Sequence, residues 1–241
     1  MKHHILQGVG LALRPALLAP LKNRAPDNLQ FLELTPSDWF GVGARVGKDL
    51  QQLTQHYPTV CLSQSLSLGG PSALDKNMLR DLRRFIVEHD VQVFSEALAW
   101  NADDAPLFIN LPIPSTRAAV AWTAARIAQV QDALGLRMGI RNVVHRMAPV
   151  HVDMNEAEFI SEVVAASGCR LHLDLHALAI NGLQFDFDPY AFVQALPLSH
   201  VDYVRVGREY PLLGDVLART HRRVACCVDD VMQLNLEALT C

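Results

Sequence analysis

Short apolar segments recur along this chain, each followed by a stretch whose apolar positions repeat at helical spacing. Residues 7–13, 31–35, 59–65 and 91–96 read as the first four strands, with helices expected after Pro15, over 46–56 and from Ser72 to about His89. Ser72 with Asp75 resembles a capping box. Residues 115–134 form a clear helix, with Val120, Ala124, Ile127, Val130 and Leu134 on one stripe. Residues 137–143 read as the fifth strand, and Asn155 with Glu158 caps the next helix. Asp188 before Pro189 starts another, and residues 201–206 and 223–228 are the seventh and eighth strands.

The sixth strand is the unusual one. In residues 170–177, Leu171, Leu173 and Leu175 alternate with His172, Asp174 and His176. Side chains on a strand point alternately to its two faces, so one face is all leucine and the other carries two imidazoles and a carboxylate. The ordinary explanation is a half-solvated strand. The flanking helix and turn signals favour a polar face that looks into a site, as at the mouths of parallel α/β folds.

Eight strands alternating with helices predict a (β/α)8 TIM barrel, with residues 1–241 as a single domain. The segments 36–40, 100–114 and 142–151 each follow a strand and precede a helix, which places them on the rim at the carboxyl ends of the strands. Residues 100–114, with Asn101, Asp103, Asp104 and Asn110, read as a long irregular loop of the functional kind.

Composition narrows the class. With 241 residues, half of them hydrophobic, the chain can bury a core without disulfides. A net charge of −4 gives no basic footprint for nucleic acid. Five cysteines without a C-x-x-C spacing suit reduced thiols and a cytoplasmic location better than a disulfide framework or a thiolate metal site. No uncharged run reaches membrane-spanning length. Trp39, Trp100 and Trp122 read as packing residues, and the Gly8 and Gly69 regions lack a complete phosphate-loop spacing.

Because barrel chemistry sits at the carboxyl ends of the strands, the two-residue period selects Glu33, Glu96, Arg141, Asp174, His176 and Arg205 as inward-facing candidates. Three carboxylates then face two arginines, either as an internal ion-pair network or as a ligand or metal site.

Motifs in matching order from about residue 8 to 207 resemble those of the MbnB-like family. They are Gly8-Val-Gly-Leu-Ala-Leu-Arg14, Phe31-Leu-Glu-Leu-Thr-Pro-Ser-Asp-Trp39, Ser65-Leu-Ser-Leu-Gly69, Ser95-Glu-Ala-Leu-Ala-Trp100, Leu111-Pro-Ile-Pro114, Val130-Gln-Asp-Ala-Leu-Gly135, Leu173-Asp174 and Ala195-Leu-Pro-Leu198. The resemblance implies a TIM barrel with a multinuclear iron site. It also implies action on cysteines of a ribosomally made precursor peptide, together with a small partner protein.

The departures matter as much. Leu62 and Ala97 stand where the resemblance implies metal-binding histidines, Arg141 where it implies a glutamate, and Arg205 where it implies a histidine. Asp-x-Asn-Asn has become Asp174-Leu-His-Ala177, while Glu96, Asn142 and Asp174 match. Several irons need many oxygen and nitrogen ligands converging at about 2 Å, and guanidinium groups cannot supply them.

Three readings result. One is a peptide- or partner-binding paralogue with no metal, whose pocket is Glu33, Glu96, Arg141, Asn142, Asp174, His176 and Arg205. Another is an oxidative enzyme with a rearranged iron site built from Glu96, Asp174 and His176, with His145 or Asp229 as further ligands. The third is a metal-independent acid/base enzyme using Glu96 and Asp174, with Arg141 holding an anionic substrate. In the first, Arg141 and Arg205 supply the positive charge of the missing cations, and Arg141 or Arg205 is expected within hydrogen-bond reach of Glu96 or Asp174.

Overall fold

The computed structural model describes residues 6–207 and 224–228, and between them Gly214, Val216, Ala218 and Arg219. Eight parallel strands close into a barrel: β1 (Val9–Leu13), β2 (Leu29–Leu34), β3 (Thr59–Ser63), β4 (Val91–Ala97), β7 (Gly139–Arg141), β8 (Arg170–Asp174), β9 (Val201–Val206) and β10 (Ala225–Val228). Two further strands, β5 (Trp100–Ala102) and β6 (Pro106–Leu111), form a separate antiparallel hairpin. The helices are α1 (Leu18–Asn23), α2 (Ala44–His56), α3 (Lys76–Glu88), α4 (Arg117–Leu134), α5 (Glu156–Ser167), α6 (Leu175–Phe185) and α7 (Pro189–Ala195). The expected TIM barrel is therefore the fold. The helix expected after the eighth strand lies outside the described residues, as does Asp229.

The two-residue period sorts the core into two compartments. Leu11, Leu32, Leu34, Cys61, Phe94, Ile140, Leu171, Leu173 and Val204 face outward and pack under the helices, where Leu82, Ile127, Ile160 and Val163 meet them. Ala12, Phe31, Val60, Tyr203, Ala225 and Cys227 face inward and fill the barrel. Phe31 meets Tyr203 edge to face at 6.1 Å.

Capping explains most helix boundaries. Asn155 and Glu158 form the reciprocal box expected of them, Asp188 accepts from the Tyr190 N–H, and Thr116 accepts from Ala119 N. Helices α4 and α5 end on Gly135 and Gly168 at φ of 73° and 66°, a conformation that glycine adopts without a Cβ penalty. At α3 the Ser72 box does not form. Asp75 alone caps the helix through Asn77 N, and the Ser72 hydroxyl bonds Asp103 of the hairpin.

Residues 100–114 are not an irregular loop. Trp100 pairs with Leu111 and Ala102 with Pro106, with an irregular register between the two pairs that local alternation does not reveal. The fifth strand is also shorter than its apolar run, only three residues long. Cys61, Cys169 and Cys227 are buried free thiols. Cys226 is disulfide-bonded, so reduced cysteines are not the rule throughout. Trp39 is buried, but Trp122 is half exposed, its ring 5.6 Å from the Arg126 guanidinium and its Nε1 donating to Gly70 O. No helix among the described residues is long and apolar enough to cross a membrane.

Candidate functional site

A cavity of about 470 Å³ opens at the carboxyl ends of the strands. Its walls include Glu33, Arg141, Asp174, His176 and Arg205, together with Arg14, Leu62, Gln64 and Asn110. Two ion pairs organise it. Arg141 Nη1 donates to Asp174 Oδ2 at 2.8 Å, with side-chain exposures of only 8% and 7%. Arg205 Nη1 donates to Glu33 Oε1 at 2.7 Å.

Each carboxylate has further partners. Asp174 Oδ1 accepts the Ala177 N–H, which makes it the N-cap of α6, and Asn142 clamps the Asp174 backbone by donating to its carbonyl and accepting from its amide. Asn142 is thus a buried brace beside the cavity. Glu33 Oε2 accepts the Tyr203 hydroxyl at 2.8 Å. Burial and then the Glu33 charge push the Tyr203 phenol well above its ordinary pKa, so it stays a donor.

His172 lies under these pairs, stacked on Tyr203 at 3.8 Å, with its Nδ1 3.0 Å from Ser95 Oγ. Its Nε2 is 3.9 Å from Glu33 Oε2, beyond hydrogen-bond reach. Burial first, then Arg141 and Arg205, hold its pKa well below the ordinary value, so the imidazole is neutral and makes no ion pair.

One expected residue sits elsewhere, and another reaches the cavity only from its rim. Strand β8 stops at Asp174, because that side chain caps α6, and His176 is an exposed residue of the helix's first turn on the cavity rim. Glu96 is not in the barrel interior. On β4 it is Ser95 that faces inward to His172, which sends Glu96 to the outer side, where Oε1 accepts Leu66 N at 3.2 Å and Oε2 is buried without a partner. Burial raises its pKa to about 7, against smaller opposing effects of Ser63, the Leu66 and Ser65 amides and Arg141. Glu96, Asp174 and His176 are therefore not gathered at one point. The expected contact is made by Arg141 on Asp174, while Arg205 pairs with Glu33.

Glu96 belongs to a strap that fixes the loop after β3. From α4, the Arg126 guanidinium donates to Ser72 O, Leu66 O and Ser67 O. Ser67 Oγ accepts the Asn101 and Ala102 amides and donates to Ala102 O, joining the loop to the hairpin. A Cβ on Gly70 would come within 2.9 Å of Ala102 O, so the loop backbone must be bare there.

His145 is buried at the start of the β7–α5 loop, its Nε2 3.1 Å from Glu156 Oε1, and does not line the barrel cavity. Among the described residues no three histidine, cysteine, aspartate or glutamate side chains form a group that could hold a metal ion. Sequence reasoning missed Tyr203 and Gln64, and named Asn110 only as part of the 100–114 loop. The signal for Tyr203 was present, two residues before Arg205 on the same face.

A closed parallel barrel with a polar cavity at its carboxyl-end mouth defines the class of TIM-barrel proteins whose sites are built from βα loops. Within that class the chain belongs to the family described as RiPP precursor modification enzyme MbnB/TglH/ChrH, which it matches over residues 8–240. It is 35% identical to a UPF0276 protein of Nitrosospira multiformis, over 90% of this chain and 76% of that one. A UPF0276 protein of Acinetobacter baylyi is 38% identical, over 95% and 78%. Among solved structures, D-allulose 3-epimerase from Methylomonas sp. superposes with a TM-score of 0.63 at 14% identity, covering 95% of this chain and 86% of that one. Endonuclease IV from Thermus thermophilus does so at 0.57 and 14%, covering 92% of each. At such identities the likeness is one of fold.

Proposed function

We propose that this chain is a divergent member of its family that has lost the multi-iron centre and acts by binding a peptide or a small partner protein. The observation that carries the reading is the pairing of Arg141 with Asp174 and of Arg205 with Glu33. A guanidinium is cationic at any accessible pH and its planar fork occupies carboxylate oxygens, so it takes both the charge role and the ligand atoms that iron would need. Leu62 lines the same cavity and Ala97 is buried, and neither offers a donor. The donor set does not fit a centre of several irons. Glu96 on the outer side of β4 adds nothing to it, which weakens the alternative of a rearranged site with Asp174 and His176.

The binding role rests on the parts of the molecule that loss of metal leaves intact. The barrel, the cavity and the rim loops stand without it, and the family's description names a peptide precursor as the thing acted on. The metal part is tested by elemental analysis of the protein purified from iron-supplemented cells. Iron well below one per chain is expected, and more than one per chain overturns the reading. The binding part is tested by co-purification with small proteins and peptides encoded beside its gene. A chain that retains none of them counts against it.

A further inference from the structure

The hairpin beside the cavity carries three features that the fold does not require. Strand β6 pairs with β5 on one side only, and among the described residues no strand lies along its other side. Phe108 in β6 is 95% exposed and has a φ of +54°, an uncommon conformation for a bulky residue and one held at a cost of about 1 kcal/mol or more. A second cavity, of about 550 Å³, lies against the hairpin and is lined by Met78, Pro106, Phe108 and Ile109 among uncharged polar side chains. Gln64 and Asn110 line both this cavity and the one at the barrel mouth, so the two adjoin at those residues.

We propose that this groove binds an extended peptide, which adds a strand to β6, lays an apolar side chain against Phe108, and passes Gln64 and Asn110 into the barrel mouth. The inference rests on the peptide-binding reading above and assigns it a place. An open strand edge presents backbone N–H and C=O groups whose natural complement is another backbone. The groove lining carries no charged side chain, which selects an uncharged segment there. The paired charges of the mouth receive only the peptide residues beyond that segment. A globular partner presenting a convex surface would use neither the strand edge nor the groove beside it.

The test selects binders from a phage-displayed library of random dodecapeptides and remakes the tightest as a fluorescein-labelled synthetic peptide. Its affinity is expected to fall at least tenfold for Phe108→Asp and for Asn110→Pro, whose missing N–H interrupts the β6 edge. It should fall similarly when alternate peptide amides are N-methylated, while Leu183→Asp, on an exposed helix position, leaves it unchanged. Amide exchange at residues 107–111 should slow when the peptide binds. Equal binding by wild type, Phe108→Asp and Asn110→Pro overturns the docking site yet leaves the peptide-binding reading standing. Failure to select any binder removes both. A wild-type dimer that Phe108→Asp converts to monomer shows that a second copy takes the edge, and also overturns the proposal.

Discussion

The Arg141 guanidinium reaches across from β7 to the Asp174 carboxylate of β8, and the same aspartate begins α6 by accepting the Ala177 amide. One carboxylate thus closes an ion pair in the barrel and ends a strand. Substituting Arg141 by Met should lower stability by about 3–5 kcal/mol, since it leaves a buried carboxylate without its counter-charge. The double variant Arg141→Met with Asp174→Asn should recover most of the loss, because asparagine keeps an oxygen for the cap. Urea unfolding of both proteins checks this. Equal destabilisation in the double variant would mean that packing of the Arg141 stem, not its charge, matters.

That dual role also shows where the sequence misleads. Alternation places Asp174 correctly inside the barrel, and would place His176 there only if the strand continued. The N-cap switches the period from 2 to 3.6, and Leu175 with Leu178 then buries on the helical stripe. Glu96 fails for another reason. Ser95 and Glu96 are adjacent polar residues, so either phase leaves one polar side chain inside, and an irregular register between β3 and β4 prevents transfer of the phase from its neighbour. The barrel itself, and Glu33, Arg141 and Arg205 at its mouth, follow from apolar alternation and helix signals, because those act within a few residues. The Tyr203–Glu33 bond and the strap from Arg126 depend on contacts distant in sequence, and the hairpin's irregular register hides its alternation.

Removing the Tyr203 hydroxyl tests the second pair. Tyr203→Phe keeps the ring, its stacking on His172 and its edge contact with Phe31, and deletes only the donor to Glu33 Oε2. A hydrogen bond to a charged group contributes about 1.5–3 kcal/mol, and a loss in that range is expected by denaturant titration. A neutral result would show that Arg205 alone satisfies Glu33.

His172 should shape the acid limb of stability. Its folded pKa lies well below the unfolded value near 6.5, so under acid conditions the unfolded chain binds a proton that the folded one refuses. Stability therefore falls as pH drops below that unfolded value, with a slope approaching about 1.4 kcal/mol per pH unit from this residue. In His172→Phe that part of the slope disappears. If wild type and variant lose stability in parallel between neutral pH and pH 5, the imidazole is not the group responsible.

Glu96 acts in the opposite direction and on the other side of β4. Burial raises its carboxyl from an ordinary 4.5 to about 7, so between those values the folded protein binds a proton that the unfolded chain has released. By linkage its contribution is most favourable below the unfolded pKa and is lost as pH rises through the folded one. A shift of this size corresponds to about 3 kcal/mol for a fully buried group, as an order of magnitude. Glutamine at this position can accept the Leu66 amide through its oxygen, as Glu96 Oε1 does, without a charge to bury. Glu96→Gln should therefore be more stable than wild type at pH 8 by about 1–3 kcal/mol, and the difference should vanish toward pH 5. Thermal unfolding across that range measures it. Because the Leu66 loop is tied to the hairpin through Ser67, amide exchange at Asn101 and Ala102 should quicken with rising pH in wild type beyond the intrinsic increase, and not in the variant. A variant less stable than wild type at pH 8 would mean that the ionised carboxylate is needed there.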